Sequence, residues 1–199
     1  MKPLSKRNKC DKIAVKKQEK DREQVRIIEL DRDTYKGQKL HFSYDSFGVW
    51  KAAPAEEDEN SFGFRYAYER CPRIHREYDM DLFRGDLAQP RVFGLMDDQE
   101  LKAIMEVSEE WNERLRISSI LVFDGFRRRG YGGLLMTKAK EIARRQHCRA
   151  LVLDVESCNS GAVAFFRGQG LTFTGCDLTC YTNRFTEEHE SRLEMGLML

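Results

Sequence analysis

The chain has 199 residues, of which 34 are Lys or Arg and 33 are Asp or Glu, so its formal net charge at pH 7 is +1. This length fits one domain with its own core. The balanced charge excludes a bulk attraction to nucleic acid or membrane, and no apolar run approaches the roughly 18 residues of a membrane span. Residues 1–20 lack the apolar centre of a signal peptide. The six cysteines contain no Cys-x-x-Cys pair, which predicts reduced thiols in a cytoplasmic protein and no metal site.

Residues 1–24 form a basic N-terminal segment whose only apolar cluster is Ile13–Val15. Such a segment buries little surface, so we predict a mobile tail or a loosely docked helix. A nucleic-acid-binding arm is the alternative interpretation, but acids at positions 11, 19, 21 and 23 dilute its charge. We therefore expect no nucleic-acid partner, and we assign residues 25–199 to one domain.

The first half of this domain is predicted to consist mainly of strands. Alternating or β-branched runs predict strands at Val25–Leu30, Leu40–Tyr44, Phe62–Tyr68, Arg91–Met96 and Leu101–Val107. The last two flank Asp97–Glu100 and are expected to form a hairpin. Residues 53–61 are predicted to form an acidic loop, and Tyr78–Arg84 a short acidic helix.

The central part of the chain is predicted to run from a strand through a basic turn into a helix. After a turn at residues 111–114, Ile117–Phe123 has the composition of a buried strand. The turn Phe126–Gly133 follows, and apolar residues then recur at helical spacing at Leu134, Leu135, Ala139, Ile142 and Ala143. This order directs unpaired backbone N–H groups and the positive end of the helix dipole at the turn, which favours a phosphate-bearing ligand.

Two nucleotide-binding motifs are excluded at this turn. The sequence contains no Walker A loop, and Leu135 occupies the position of the third glycine of a dinucleotide fingerprint. Downstream, Ala150–Val155 has the apolar density of a parallel strand, and a helix at about residues 160–169 begins with Asn159 as its cap. Thr172–Cys176 and Arg192–Leu197 are predicted to form an antiparallel pair.

Two motifs resemble those of the GNAT superfamily of N-acetyltransferases. The first is Arg127-x-x-Gly130-x-Gly132, and the second begins at Asn159 and runs through Phe165-Phe166 to Gly170. The resemblance covers roughly residues 25–199 and implies a mixed α/β (α+β) fold, with a mostly antiparallel sheet and a central strand-helix-strand-helix unit. Trp111-Asn112 and Asp177-Leu178-x-x-Tyr181-Thr182-Asn183 resemble more narrowly the streptothricin acetyltransferase-like branch.

The resemblance implies acetyl-CoA as the cofactor and coenzyme A as the product. The pantetheine amides would meet the backbone of Leu121, Val122 and Phe123. The pyrophosphate would lie on the turn residues Arg127, Arg128, Arg129, Gly130, Tyr131, Gly132 and Gly133. The second motif would add Asn159, Phe165 and Phe166 to the cofactor site.

Acetyl transfer to an amine needs a base, because a free alkylamine has a pKa of about 10.4 and is protonated at neutral pH. The candidates are Glu106 and Glu156, with Asp154 as a weaker one. Many GNATs also place a tyrosine seven residues after the motif Asn, where its hydroxyl reaches the thiolate. Here that residue is Phe166, so Tyr181 or Tyr131 would have to substitute.

The predicted function is acetyl transfer to a primary amine of a small cationic acceptor, as in the streptothricin-like branch. Acidic clusters at residues 56–59, 78–81 and 109–110 would attract such an acceptor. Two alternatives remain open: acetylation of a protein or peptide amine, and a non-catalytic acyl-CoA sensor. No membrane partner is expected, and the sequence leaves a homodimer open.

Overall fold

The computed structural model describes residues 25–54, 63–182 and 190–199. The predicted N-terminal segment 1–24 and most of the predicted acidic loop, residues 55–61, lie outside these ranges. Within the described ranges no helix is long and apolar enough to cross a membrane.

The described residues form a series of strands interrupted by three helices. The strands are β1 Arg26–Leu30, β2 Lys39–Pro54, β3 Phe64–Asp81, β4 Arg91–Asp97, β5 Glu100–Glu110, β6 Arg114–Val122, β7 Ala150–Glu156, β8 Thr172–Asp177 and β9 Arg192–Met198. The helices are α1 Arg32–Tyr35, α2 Tyr131–Arg145 and α3 Ser160–Gly168.

Seven strands form one sheet in the order β1-β4-β5-β6-β7-β9-β8, and β2 pairs with β3 in a separate two-stranded sheet. The β6–β7 pair is parallel, and the other neighbours are antiparallel. This mostly antiparallel sheet with its β6-α2-β7-α3 unit confirms the predicted fold class. The predicted C-terminal pair also forms, and β9 lies between β7 and β8.

The short acidic helix predicted at Tyr78–Arg84 is wrong, because this segment continues β3 as far as Asp81. Tyr78 pairs with Phe42 of β2, and their rings stack with centroids 5.1 Å apart. The next residue, Asp79, lies 3.0 Å from His41 on the same partner strand. These cross-strand contacts outweigh the weak local preference of an acidic segment for helix.

Helix α2 covers one face of the sheet through a stripe of apolar side chains. Leu135, Met136 and Ala139 are fully buried and share a cluster with Met105 of β5. Leu134 was predicted on this apolar face, but it is 44% exposed because the helical repeat turns it away from the sheet. Each buried side chain of this size contributes roughly 1.5–3 kcal/mol, so the sheet fixes the start of α2 firmly.

Strands β6 and β7 separate halfway along their length. They pair only from Arg114↔Ala150 to Ile117↔Leu153. At the same point the register of β6 against β5 shifts, which leaves Ser118 without a direct partner in the ladder. Such a bulge bends a strand locally. The ends of β6 and β7 therefore diverge and leave a gap in the sheet.

The long β2–β3 hairpin closes one side of this gap. Trp50 N–H of β2 donates to Ser157 O at 2.9 Å, just beyond β7. Ser46 Oγ lies 2.6 Å from Ser160 Oγ at the start of α3. These contacts hold the hairpin against the end of β7, so its aromatic side chains reach the gap.

Candidate active site

The gap between β6 and β7 opens into a cavity of about 340 Å³. Its walls come from both sheets and from α3, and they include Phe42, Tyr78, Ser119, Glu156, Phe166 and Tyr181. A second cavity of about 350 Å³ lies between Trp50, Tyr66 and Arg167 and is mainly apolar, with no carboxylate among its lining side chains. The first cavity, with its convergent polar groups, is therefore the candidate active site.

The backbone of β6 offers hydrogen-bonding groups to this cavity at alternate residues. Phe123 N–H donates to Lys102 O at 3.0 Å, so the backbone of Phe123, and by alternation that of Leu121, faces β5. The backbone of Val122 and Ile120 consequently faces the open side. The pairing of Leu121, Val122 and Phe123 with the pantetheine amides stays a prediction. Of the three, only Val122 has its backbone on the open side, where its carbonyl accepts from Arg127 Nε at 3.4 Å, and Ile120, which was not predicted, also faces that side.

The basic turn curls through two left-handed residues before α2 begins. Arg128 has φ 66° and Gly130, the N-cap of α2, has φ 88°. No side-chain hydrogen bond caps this helix. Its first backbone N–H groups therefore remain available to an anion, and the helix dipole favours a negative charge there.

The three arginines of the turn have different surroundings. Arg127 Nη2 donates to Ser43 O of β2 at 2.8 Å and lies 2.9 Å from Asp124 Oδ1. Arg129 is exposed and places its guanidinium 5.3 Å from the centroid of the Phe126 ring. Arg128 is also exposed. Arg127 thus ties the turn to β2, while Arg128 and Arg129 remain accessible to a phosphate.

Tyr131 anchors α2 instead of presenting its hydroxyl to the cavity. The residue is buried, and its hydroxyl donates to Asp97 at the end of β4. This bond raises the pKa of Tyr131. The phenol is therefore removed from the candidate acids, although its backbone N–H still lies in the first turn of the helix.

Gly132 allows close contact between α2 and α3. A Cβ at this position would lie 3.0 Å from Cζ of Phe165. At Gly133 the nearest atom to a Cβ is Gln169 Nε2 at 3.9 Å, which is an ordinary contact. Gly132 is therefore needed for the packing of α2 on α3. At Gly133 no neighbour among the described residues would exclude a larger side chain.

The second motif divides between the cavity and the helix contact. Asn159 Oδ1 accepts a hydrogen bond from Ala162 N at 3.1 Å, as predicted for an N-cap. Both Asn159 and Phe166 line the cavity. Phe165 packs beside Phe166, with centroids 5.2 Å apart, and its ring faces Gly132.

Glu156 lines the cavity, as do Asp154 and Tyr181. Burial raises the pKa of Glu156, and the nearby Glu190 acts in the same direction. A hydrogen bond from Tyr44 and the positive charge of Arg76 act in the opposite direction. The net result is a pKa above that of an ordinary glutamate, which is the direction that makes a carboxylate a stronger base.

Glu106, the other predicted base, lies outside the cavity lining and is fully buried. Its Oε1 accepts from Phe83 N–H at 2.6 Å, and its Oε2 accepts from Ser118 Oγ at 3.1 Å. Phe83 has φ 55° in the tight turn after β3. Glu106 therefore holds that turn and the bulge of β6. Its role as the base stays a prediction, and these two hydrogen bonds favour a structural role instead.

Asp154 and Tyr181 both line the cavity. Asp154 is exposed, with Oδ1 2.9 Å from Nη1 of Arg116. Burial, followed by the charge of Glu156, raises the pKa of Tyr181, so this phenol keeps its proton. Tyr181 therefore holds a proton at the cavity, while its raised pKa makes it a weaker acid than a free phenol.

Tyr44, Ser119 and Arg84 are further residues at the site that were not predicted. Tyr44 donates a hydrogen bond to Glu156 Oε2 from behind the cavity wall. Ser119 is buried and lines the cavity, and its Oγ has no hydrogen-bond partner among residues 25–54, 63–182 and 190–199. Arg84 enters from the turn after β3. Only the β2–β3 pairing and the bulge bring these residues here, so no local sequence signal could have found them.

Comparison with known proteins agrees with this geometry. The acetyltransferase (GNAT) family matches residues 52–171, which is more than half of the chain. The chain therefore belongs to the acetyltransferase (GNAT) family.

Among individual relatives, the streptothricin acetyltransferase of Streptomyces lavendulae is 34% identical over 114 residues. That alignment covers 56% of this chain, and it spans 60% of the length of that relative.

Two solved structures share the fold across most of the chain. The crystal structure of nourseothricin acetyltransferase superposes with a TM-score of 0.68 at 24% identity, covering 88% of this chain and 98% of that one. A putative streptothricin acetyltransferase from Bacillus anthracis str. Ames, in complex with acetyl coenzyme A, has a TM-score of 0.70 at 16% identity. This superposition covers 88% of this chain and 97% of the Bacillus anthracis chain.

Proposed function

We propose that this protein is an acetyl-CoA-dependent N-acetyltransferase that acts on a primary amine of a small cationic acceptor of the streptothricin class. The observation that carries this proposal is Glu156, a half-buried carboxylate that lines the cavity where β6 and β7 diverge. Membership of the GNAT family supports acetyl-CoA as the acetyl donor. The 34% identity to the Streptomyces lavendulae enzyme supports the acceptor class.

The residues of the gap and the turn fit acetyl-CoA as a substrate. The free N–H groups at the start of α2 would bind the pyrophosphate, with Arg128 and Arg129 neutralising its charge. The outward backbone groups of Ile120 and Val122 would pair with the pantetheine amides, as an added strand pairs with a sheet edge. Asn159 and Phe166 would enclose the thioester end, because both line the cavity.

Glu156 would act as the general base. It takes a proton from the acceptor ammonium, and the neutral amine then attacks the thioester carbonyl. A carbon–nitrogen bond forms as the carbon–sulfur bond breaks. The proton on Glu156 returns to solvent. The attacking nitrogen loses its second proton to water as the amide forms, and the leaving thiolate takes a proton either from that water or from Tyr181, which regains its proton from the water. Atoms and charge balance, because one ammonium and one thioester give one amide, one thiol and one released proton.

The acceptor side of the cavity suits a cation. The stacked rings of Phe42 and Tyr78 form one wall, and an ammonium over an aromatic face gains about 0.5–2 kcal/mol. Asp154 lies at the same cavity. Of the acidic clusters predicted to attract the acceptor, Glu110 is held by Arg114 and Arg116, and residues 56–59 lie outside the described ranges.

The direct test is release of free thiol from acetyl-CoA in the presence of a panel of amines that includes a streptothricin. We expect thiol release that depends on the amine. Mass spectrometry of the reaction mixture should then identify the acetylated amine. Glu156→Gln keeps the shape of the side chain and should lower the rate roughly 10²- to 10⁴-fold near neutral pH. The loss should shrink at alkaline pH, where the acceptor loses its proton unaided. Tight binding of acetyl-CoA with no release for any amine would contradict the proposal and favour a sensor.

A further inference from the structure

Tyr44 lies directly behind the carboxylate that faces the acceptor. It belongs to β2, 112 residues away from Glu156 in the chain, and its hydroxyl donates to Glu156 Oε2. Tyr44 does not line the cavity, whereas Glu156 does. The hydrogen bond therefore approaches the carboxylate from the protein side and leaves its cavity side for the ligand.

The same hydroxyl has a second neighbour, Cys158. Its Sγ lies 3.2 Å from the Tyr44 oxygen, and the thiol is fully buried. Cys158 is also hydrogen-bonded to Glu190, so its thiol lies between the Tyr44 hydroxyl and a second carboxylate. Burial raises the pKa of Cys158 to about 12, so the thiol keeps its hydrogen at neutral pH. The Tyr44 hydroxyl thus lies between the Glu156 carboxylate and the Cys158 thiol and contacts both.

Charged and titratable groups surround Glu156 from every element packed against it. Tyr44 comes from β2, Arg76 and Tyr78 from β3, Cys158 from the loop after β7, and Tyr181 and Glu190 from the C-terminal part of the chain. Asp154 stands on the same strand and pairs with Arg116.

Of these groups, Glu190 disfavours the ionised form of Glu156. Glu190 is buried, and Arg76 offsets it by donating from Nε to its Oε1 at 3.0 Å. Arg76 is therefore committed to the neighbouring carboxylate and acts on Glu156 only through space. The direct hydrogen bond from Tyr44 is the remaining local contribution that favours the carboxylate.

We propose that Tyr44 is a positioning residue for the reaction: its hydroxyl orients the Glu156 carboxylate toward the acceptor and keeps it ionised so that it can accept the proton. This inference rests on the proposed function, in which Glu156 is the base. It predicts that loss of the hydroxyl changes the pH at which the enzyme becomes active, in addition to any effect on stability.

Tyr44→Phe tests the proposal, and Tyr66→Phe is its matched control. Tyr66 also lies on the hairpin, and its hydroxyl is 3.2 Å from Ser191 Oγ, with no carboxylate in that contact. Each variant removes one phenol hydroxyl from the β2–β3 hairpin, so the two melting temperatures should fall by similar small amounts. Only Tyr44→Phe should move the acidic limb of kcat against pH, to higher pH by about one unit. The sign follows because the base must be deprotonated, and loss of a donor to the carboxylate raises its pKa.

A double mutant separates positioning from packing. In the Glu156→Gln background, Tyr44→Phe should produce no further loss of kcat, because the group through which it acts is absent. A uniform loss of kcat at all pH values, equal in both backgrounds, would overturn the proposal and reduce Tyr44 to a packing contact.

Direct titration of Glu156 gives a readout that does not depend on turnover. The carboxyl carbon of ¹³C-labelled glutamate can be followed by NMR against pH, with the Glu156 signal assigned from its loss in Glu156→Gln. A higher midpoint in Tyr44→Phe and an unchanged one in Tyr66→Phe would support the proposal; equal midpoints would overturn it. If no amine is acetylated by the wild-type protein, the proposed function fails, whereas the titration still decides whether Tyr44 controls Glu156.

Discussion

The ring of Phe165 lies where it would meet a side chain on Gly132, with only 3.0 Å between its Cζ and a Cβ at that glycine. The glycine that we propose gives a phosphate access to the turn therefore also lets α2 approach α3. Substitution of Gly132 should therefore affect both ligand binding and the packing of α2 on α3. A substitution at Gly133, which has no such packing contact, can separate the two effects.

Gly133→Ala and Gly132→Val should differ in stability while both weaken the binding of acetyl-CoA. Alanine at 133 meets only Gln169 Nε2, at 3.9 Å, so we expect stability to be unchanged or up to about 1 kcal/mol higher. Valine at 132 must displace Phe165 and should lower stability by about 1–3 kcal/mol. Urea unfolding and calorimetric titration with acetyl-CoA measure the two effects. Normal affinity in Gly133→Ala would contradict close approach of the ligand to the backbone there.

Glu106→Gln should leave most of the activity and the shape of the pH–rate profile intact, because Glu106 lies outside the cavity lining. The amide oxygen can still accept from Phe83 N–H, as the carboxylate does at 2.6 Å. Glu106→Ala should lower the free energy of unfolding by about 2–4 kcal/mol, since it leaves that N–H and Ser118 Oγ without their acceptor. Glu156→Gln, measured under the same conditions, is the control, because it removes the proposed base and should lower the rate. A 10²-fold or larger loss in Glu106→Gln, recovering at alkaline pH, would restore Glu106 as the base.

Ser119→Ala should reduce acceptor binding without reducing stability. The buried Ser119 Oγ has no hydrogen-bond partner in the described part of the chain, so its removal breaks no hydrogen bond among the described residues. It lies across the ladder from Glu106, on the face of the sheet that adjoins the turn carrying Arg84. We expect KM for the amine to rise about tenfold and KM for acetyl-CoA to stay constant.

Ser118→Ala provides the contrast to this variant. Its hydroxyl is bonded to Glu106, at 3.1 Å to Oε2, so its loss should destabilise the protein by about 1 kcal/mol. Equal destabilisation by Ser119→Ala, with unchanged kinetics, would show that the Ser119 hydroxyl has a structural partner and no ligand.

Phe166→Tyr tests whether the absent tyrosine limits the rate. Phe166 is buried against Phe165 and lines the cavity, so an added hydroxyl without a partner costs about 1–3 kcal/mol. We expect turnover to change little, because Tyr181 already supplies a protonated phenol to the same cavity. Turnover and melting temperature should be measured together, with Tyr181→Phe as the companion variant. A gain of about 10² at undiminished stability would instead identify the natural protein as a weakened catalyst.

The sequence by itself determined the central unit of the fold. The apolar strand at Ile117–Phe123, the glycine-containing turn and the helical spacing after Leu135 are local patterns, and each produced the predicted element. The Asn159 cap and the parallel strand at Ala150–Val155 were also predicted correctly from the sequence. These elements were predictable because periodicity and capping act over a few residues.

The tertiary structure alone decided that Glu156, and not Glu106, lines the cavity, and that Tyr44 contacts it. Glu106 and Glu156 are both strand glutamates, and nothing local distinguishes them. The register shift at Ser118 and the divergence of β6 from β7 leave Glu156 at the cavity, while the turn at Phe83 covers Glu106. Tyr44 meets Glu156 only because the β2–β3 hairpin extends much further than its alternating residues indicate. Such long-range pairing depends on the whole sheet, so no window of sequence contains it.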